Sequence, residues 1–207
     1  MVKFIIYSDF DGTITNYDTL DKVITDVYSY TTYKRLEYAL LTNDMTFERY
    51  LSTFNGIKYD IHKLTDSVDA TFKTFYAWIQ SNHIDFYVIS SGFKTIIQHT
   101  VPFVDPSLIY GNDFTYNEDQ TWKVKLYDTM SIRKTEIIDL HKKPGYTTIY
   151  IGDGLSDFKV MGKVDYLFCK KDSLLHQKCV EENQPHIVFS NFQDILLHVT
   201  QNTFGIS

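Results

Sequence analysis

The feature that most restricts the fold is a repeated punctuation: short apolar runs that stop abruptly on acidic or small polar residues. Lys3–Ser8 (KFIIYS) is cut off by Asp9, Asp11 and Gly12, Asp85–Ser90 (DFYVIS) runs into Ser91 and Gly92, and Tyr146–Gly154 (YTTIYIGDG) ends on Asp153. Compact apolar runs of this kind are what strands buried on both faces look like. Two more strands are predicted at Tyr166–Phe168 and His186–Phe189. Helices are predicted at Lys94–Val101, Arg133–His141, Asp157–Gly162, Leu174–Glu182 and Phe192–Thr200. Asn112–Asp128 alternates around a polar turn and reads as a β-hairpin. Strands alternating with helices predict an α/β fold, a doubly wound, Rossmann-like parallel sheet covered on both faces.

One connection breaks this rhythm. From Thr19 to Asn82 the pattern is helical, with Val68, Phe72, Phe75, Tyr76 and Ile79 at helix spacing. A crossover between parallel strands needs only roughly a dozen residues. The excess predicts a helical cap at 18–82, inserted after the first strand and lying over one edge of the sheet. Residues 1–17 and 83–207 then form the core domain.

Composition supplies exclusions. With 43% hydrophobic residues and few Gly and Pro, the chain is globular rather than disordered. A formal charge of −6 with no long basic run excludes a broad surface for nucleic acid or anionic membrane. A small anion can still be held by one or two cations and backbone amides. The opening MVKFIIYSDFDG is too short an apolar stretch for a signal peptide or a membrane span, and no later segment supplies a span. Cys169 and Cys179, the two cysteines, form no C-x-x-C and are expected as free thiols of a cytoplasmic protein. The histidines offer no zinc-ligand spacing, and no P-loop motif occurs. Nothing in the sequence fixes an oligomeric state.

In open parallel sheets, ligands bind beyond the carboxyl ends of the strands. Three such ends carry polar groups here: Asp9–Asp11, Ser90–Ser91–Gly92, and Asp153 with Asp157. Arg133 and Lys134 fall in the first turn of a predicted helix, where cations oppose the helix dipole, so a role other than helix stability is expected. The set fits phosphoryl transfer, which needs the phosphate charge neutralised before a nucleophile can approach. Mg²⁺ takes hard oxygen ligands, which Asp9 and Asp153 could supply. Asp9 could attack phosphorus, Asp11 could protonate the leaving group, and Ser90, the amides after it and Lys134 could hold phosphate oxygens.

Each group also has a plain structural alternative. Asp9–Asp11 suits a solvated turn, Ser90 a helix cap, and Asp153 and Asp157 a turn and a cap. Lys134 suits a surface position, with Arg133, Lys123 and Lys125 as rivals. Asp18 suits the N-cap of the helix beginning at Thr19. A calcium loop does not fit DFDG, because Tyr7 stands where an oxygen ligand is needed and a strand, not a helix, precedes it.

DFDGT, then SSG, then a lysine, then GDGLSD, in that order, resembles the haloacid dehalogenase (HAD) superfamily, in its phosphoserine phosphatase branch. Within that branch SDFDGTIT, FYVISSG, GDGLSD and FCKKDSLLHQKC are similar to the methionine-salvage phosphatases acting on a methylthio-enol phosphate, and to fungal proteins of like layout. The resemblance implies a Mg²⁺-dependent phosphatase of a small phosphorylated metabolite. Asp9 matches the nucleophile and Asp11 the general acid/base, whose main-chain carbonyl also meets the metal. Gly12, Ser90, Ser91, Gly92 and Lys134 match the phosphate site, Asp153 a metal ligand, and Asp157 an acid supporting metal or lysine. An acid at the place of Asp18 contacts substrate in phosphoserine phosphatases. The second aspartate separates the chain from dehalogenases. The segment before Lys134 lacks the cysteines of bacterial salvage enzymes, so several substrates stay open: phosphoserine, a methylthio-ketose phosphate, phosphocholine or phosphoethanolamine, and pyridoxal phosphate. A phosphotransferase and a silent phosphometabolite-binding protein remain the other readings.

Overall fold

The computed structural model describes residues 3–126 and 130–201, the side chains of 130–132 excepted. Seven strands form one sheet: β1 (Lys3–Ser8), β2 (Asp85–Phe93), β3 (Ile109–Tyr116), β4 (Trp122–Lys125), β5 (Tyr146–Gly152), β6 (Tyr166–Lys170) and β7 (Ile187–Phe189). Their spatial order is β4-β3-β2-β1-β5-β6-β7, parallel except for the β3–β4 pair. The helices are α1 (Thr19–Val27), α2 (Tyr30–Leu41), α3 (Phe47–Ser52), α4 (Phe72–Ser81), α5 (Lys94–Thr100), α6 (Met130–His141), α7 (Leu174–Glu181) and α8 (Phe192–Gln201). Short 3₁₀ turns occupy Ile61–Ser67, Pro106–Leu108 and Leu155–Val160. None of these helices is long and apolar enough to cross a membrane.

β1 explains the doubly wound form. Successive side chains of a strand point to opposite faces. Ile6 enters a core with Val88, Ile149 and Ile151, while Ile5 and Tyr7 enter a second core with Ile89, Tyr150 and Ile138. All of these side chains are buried, and each contributes about 1.5–3 kcal/mol by leaving water. From β1 the sheet extends one way to β2 and the other way to β5, so the chain reverses direction at β1. That reversal opens a crevice at its carboxyl end.

The long helical block divides where the sequence supplies caps. Asp18, Ser29 and Thr46 accept backbone N–H bonds at the starts of α1, α2 and α3. Val68, expected on a helical face, is instead extended and bridged to Thr15. Its neighbours explain why: Asn16 N–H donates to Ser67 O (2.7 Å) and Asp69 N–H to Ile14 O (2.9 Å), so the two connections to the cap run side by side. α4 lies on the sheet, with Phe72 and Phe75 packed on Phe192 of α8 at 4.9 and 5.2 Å between ring centroids. On this packing we propose that the cap ends near Val68 rather than at Asn82.

Three boundaries also differ from expectation. β2 continues past Ser90 to Phe93, with a register shift between Ile89 and Phe93 that turns Ser90–Gly92 out of the regular ladder. α6 begins at Met130, which puts Lys134 beyond the first turn, so the helix-dipole argument does not apply to it. The hairpin forms, but its first strand starts at Ile109 and also joins the main sheet through β2. Tyr127 and Asp128, the expected end of that hairpin, lie outside the described residues.

The hairpin holds the far side of the cap. Trp122 is fully buried, stacked on Phe114 at 3.9 Å and on Phe54 at 6.3 Å. Its backbone exchanges hydrogen bonds with Gly56 (2.9 Å) and Ile57 (2.8 Å). Trp122→Ala is therefore expected to cost about 3–5 kcal/mol in denaturant unfolding, the range for truncating a buried aromatic. A loss below about 1 kcal/mol would show that this contact does not hold the cap.

Candidate active site

The first loop of the site is a turn wound on one carbonyl. Phe10 O accepts from the N–H groups of Thr13, Ile14 and Thr15. Gly12 sits inside that turn at φ +72°, where a side chain is strained. A Cβ there would also collide with the Asp153 carboxylate. The turn delivers Asp9 and Asp11 to the carboxyl end of the central strand, and Asp9 N–H continues the ladder to Ile151 O (2.8 Å).

Asp9 is 7% exposed. Its Oδ1 lies 3.1 Å from Lys134 Nζ, which lies 2.6 Å from Asp157 Oδ1. Lys134 and Asp157 have no exposure at all. Asp157 completes its shell with the Tyr150 hydroxyl (2.6 Å) and the N–H groups of Asp153 (3.1 Å) and Gly154 (2.9 Å). Burial pulls the Lys134 pKa down, but the carboxylates of Asp157 and Asp9 outweigh it and leave the ammonium favoured. For Asp9, burial and the charge of Asp157 outweigh the help of Lys134, so its pKa is raised well above the carboxylate range.

Asp11 faces the cap. Its Oδ1 accepts from both the N–H (3.0 Å) and the hydroxyl of Thr19, and its Oδ2 from Ser90 Oγ (3.2 Å). Burial raises its pKa despite those bonds. Ser90 Oγ also accepts from Gly92 N–H (2.8 Å), and a Cβ on Gly92 would come 2.5 Å from Asp11 Oδ2. Asp153 accepts from the Thr13 hydroxyl (2.7 Å). Burial, and then the charge of Asp157, push it up to about 7.

A cavity of about 560 Å³ lies between these strand ends and the cap. It brings together Asp9, Asp11, Asp18, Ser90, Gly92 and Asp153, and Ser91 as well. Lys134, Asp157 and Gly12 do not line it; they stand behind the carboxylates that do. Of the rival lysines, Lys123 and Lys125 are exposed on β4. Asp18 Oδ1 caps α1 through Leu20 N–H (2.8 Å) and Asp21 N–H (3.1 Å) while the residue also borders the cavity.

Sequence reasoning missed the groups that hold the carboxylates, Thr13, Thr19 and Tyr150, and it missed Lys170, which reaches the carbonyls of Thr13 and Thr15 (both 3.4 Å). Thr13 stands within the DFDGT motif, the one signal that could have found it. The cysteines expected as free thiols are free and buried, 3.8 Å apart at sulfur.

The donor set fits a divalent cation. Carboxylate oxygens of Asp9, Asp153 and Asp157 lie within 4.8 Å of one another, and burial, followed by the charge of Asp157, raises the pKa of Asp9 and Asp153 by more than Lys134 offsets. Hard oxygen donors crowded in this way suit Mg²⁺.

The model of the haloacid dehalogenase-like hydrolases matches residues 6–162, and the chain is an enzyme of that family. It is similar to the polyol phosphate phosphatase PYP1 of Saccharomyces cerevisiae, 28% identical over 99% of this chain and 96% of the relative. It is also similar to the 2-hydroxy-3-keto-5-methylthiopentenyl-1-phosphate phosphatase of Geobacillus kaustophilus, 25% identical over 94% of each chain. The crystal structure of a phosphoserine phosphohydrolase-like protein from Francisella tularensis shares the fold, with a TM-score of 0.73 at 17% identity over 95% of this chain and 98% of that one.

Crowding predicts a stability effect. In a chelator, at a pH above about 7 where Asp153 is ionised, Asp153→Asn should stabilise the protein by on the order of 1–2 kcal/mol. The amide keeps an acceptor for Thr13 and removes one repelling charge. Thermal or denaturant unfolding checks this, and a loss of stability would contradict the reading of the cluster as charge-frustrated.

Proposed function

We propose that the protein is a Mg²⁺-dependent phosphatase of a small phosphorylated metabolite, working through an aspartyl-phosphate on Asp9. The observation that carries this is Asp9 itself: a carboxylate at the end of the central strand, held at 3.1 Å by a wholly buried lysine and opening onto the cavity. The phosphatase names of the relatives support it. A net charge of −6 with no long basic run argues against a broad surface for nucleic acid or anionic membrane as its partner.

Lys134 fixes one oxygen of Asp9, which leaves the other to attack phosphorus. As that bond forms, the bond from phosphorus to the ester oxygen breaks. Asp11, whose pKa is raised by burial, gives its proton to the departing alkoxide. In the second half, Asp11 takes a proton from water, the water oxygen bonds to phosphorus, and the bond from phosphorus to Asp9 breaks to release inorganic phosphate. Thr19 aims Asp11 throughout. Ser90, Ser91 and the amide of Gly92, with Lys134 behind Asp9, form the phosphate side. Bound Mg²⁺, held by Asp9, Asp153 and the Asp11 carbonyl, supplies charge neutralisation for the phosphate oxygens. Asp157 supports both the lysine and the loop of Asp153, and Asp18 faces the leaving-group side.

Asp9→Asn should abolish steady-state hydrolysis of p-nitrophenyl phosphate while circular dichroism and gel filtration match the parent. Near-parental turnover, in a sample checked for deamidation, would overturn the covalent mechanism. Asp153→Ala should raise the Mg²⁺ concentration giving half-maximal activity by about tenfold or more, on the scale of losing a ligand contact. An unchanged Mg²⁺ dependence would remove Asp153 from the metal site.

A further inference from the structure

The paired lysines of FCKKDS close β6, and the alternation of the strand parts them. Lys170 falls on the face of Phe168, which belongs to the same core as Phe10 and Ile14, while Lys171 is exposed. Lys170 is half-buried, which disfavours its charge, and Asp153 and then Asp69 offset part of that cost.

What Lys170 meets is the carbonyl side of the turn that carries Asp9 and Asp11. The N–H groups of Thr13, Ile14 and Thr15 all converge on Phe10 O, so the carbonyls of these three residues need partners elsewhere. All three residues are fully buried, where an unmatched carbonyl is costly. Ile14 O is met by Asp69 N–H (2.9 Å) of the returning cap connection. Thr13 O and Thr15 O are met by Lys170 Nζ at 3.4 Å each, and among the described residues it is the one donor they have. At that distance the ammonium spans the pair rather than saturating one of them. A cation over successive free carbonyls is also favoured by their dipoles, as at the last turn of a helix.

The turn cannot shift without moving reactive groups. Asp9 and Asp11 stand at its start, and the Thr13 hydroxyl donates to Asp153 Oδ1 at 2.7 Å. A displacement would move Asp9 and Asp11 and release Asp153 together. Lys170 itself does not line the cavity, so it acts on these groups through the turn and not by touching a substrate.

We infer that Lys170 is a positioning residue: from the end of β6 it holds the carbonyl side of the turn at residues 10–15, and so keeps Asp9, Asp11 and the Thr13–Asp153 contact in place relative to one another. That this serves phosphoryl transfer rests on the phosphatase reading; that Lys170 holds the turn does not.

The test pairs hydrogen exchange with kinetics on the parent, Lys170→Met, Lys170→Gln and Lys170→Arg. Exchange is followed by mass spectrometry in a chelator, without substrate. In Lys170→Met the amides of Thr13, Ile14 and Thr15 should exchange about tenfold faster, the worth of a charge-assisted hydrogen bond, while those of β5 and α8 keep the parental rate. With p-nitrophenyl phosphate and Mg²⁺, Lys170→Met should lower kcat by about tenfold and leave KM little changed, on the scale of losing a residue that stands behind a site's ligands. Lys170→Arg keeps the charge and can span both carbonyls, so it should recover most of both effects; Lys170→Gln, an uncharged donor, should fall between. Parental exchange of the turn or parental kcat in Lys170→Met overturns the inference. So does faster exchange spread over the whole core, which a merely structural role would give, and so does a rise in KM with kcat kept, which would make Lys170 a substrate contact. If Lys170→Met does not fold, Lys170→Gln is read against Lys170→Arg, and equal exchange of the turn in those two overturns the inference. Absence of Mg²⁺-stimulated turnover in the parent overturns the phosphatase reading and leaves the exchange measurement standing, so the two failures are distinct.

Discussion

A lysine with no solvent exposure, shared between Asp9 and Asp157, is the interaction on which the site depends. Taking an ammonium and a carboxylate out of water costs several kcal/mol per ion unless every remaining donor and acceptor is met. Asp157 meets that condition fully, with a tyrosine hydroxyl, two backbone amides and the ammonium. Asp9 meets it only in part, and its raised pKa records the deficit. The fold thus spends one acid to anchor the lysine and leaves a second under-neutralised at the mouth of the cavity. That is the condition in which a carboxylate can accept a metal ion or an electrophile.

The sheet makes this arrangement possible. The register of β1 against β5 places Ser8 opposite Ile151, so Asp9 and Asp153 emerge from neighbouring strands at nearly the same height. β1 against β2 places Ser8 opposite Val88, and Ser90 follows two residues later, just as that strand loses its regular pairing. α6 brings Lys134 up from the second core, between Tyr150 and the loop of Asp157. The cap closes the opposite side. Its two connections run side by side at Thr15 and Val68, and its far end docks on Trp122 of the hairpin. The acids that line the cavity on the side away from the strand ends, Asp18, Asp21 and Glu37, therefore come from the cap and body of α1 and from α2, elements that carry none of the strand-end groups.

The strands and the carboxylates at their ends were legible in the sequence because apolar runs stopped by Asp, Ser and Gly have few other uses. The helical block between β1 and β2 was legible only as surplus length. Its internal breaks follow from capping residues such as Ser29 and Thr46, whose signal is weak beside a helical pattern. Val68 was misplaced because a single apolar residue in extended backbone can fall on a helical period by chance. The helix-dipole ground offered for Lys134 fails, because the helix begins earlier and the charges of Asp157 and Asp9, not the dipole, favour its ammonium. Thr19, Tyr150 and Asp21 were not legible at all, since their roles depend on which elements the tertiary fold brings together.

The central claim is that Asp9 carries the phosphoryl group, and the most direct measurement is chemical trapping. Borohydride reduces an acyl phosphate to an alcohol, which would leave homoserine where the aspartyl-phosphate had been. The protein is quenched with borohydride during turnover of p-nitrophenyl phosphate with Mg²⁺, digested, and sequenced by mass spectrometry. Homoserine at position 9, with Asp11 and Asp153 unchanged, is the result predicted here. Reduction at Asp11 instead, or turnover with no trapped residue under conditions where the second step is rate-limiting, would contradict it.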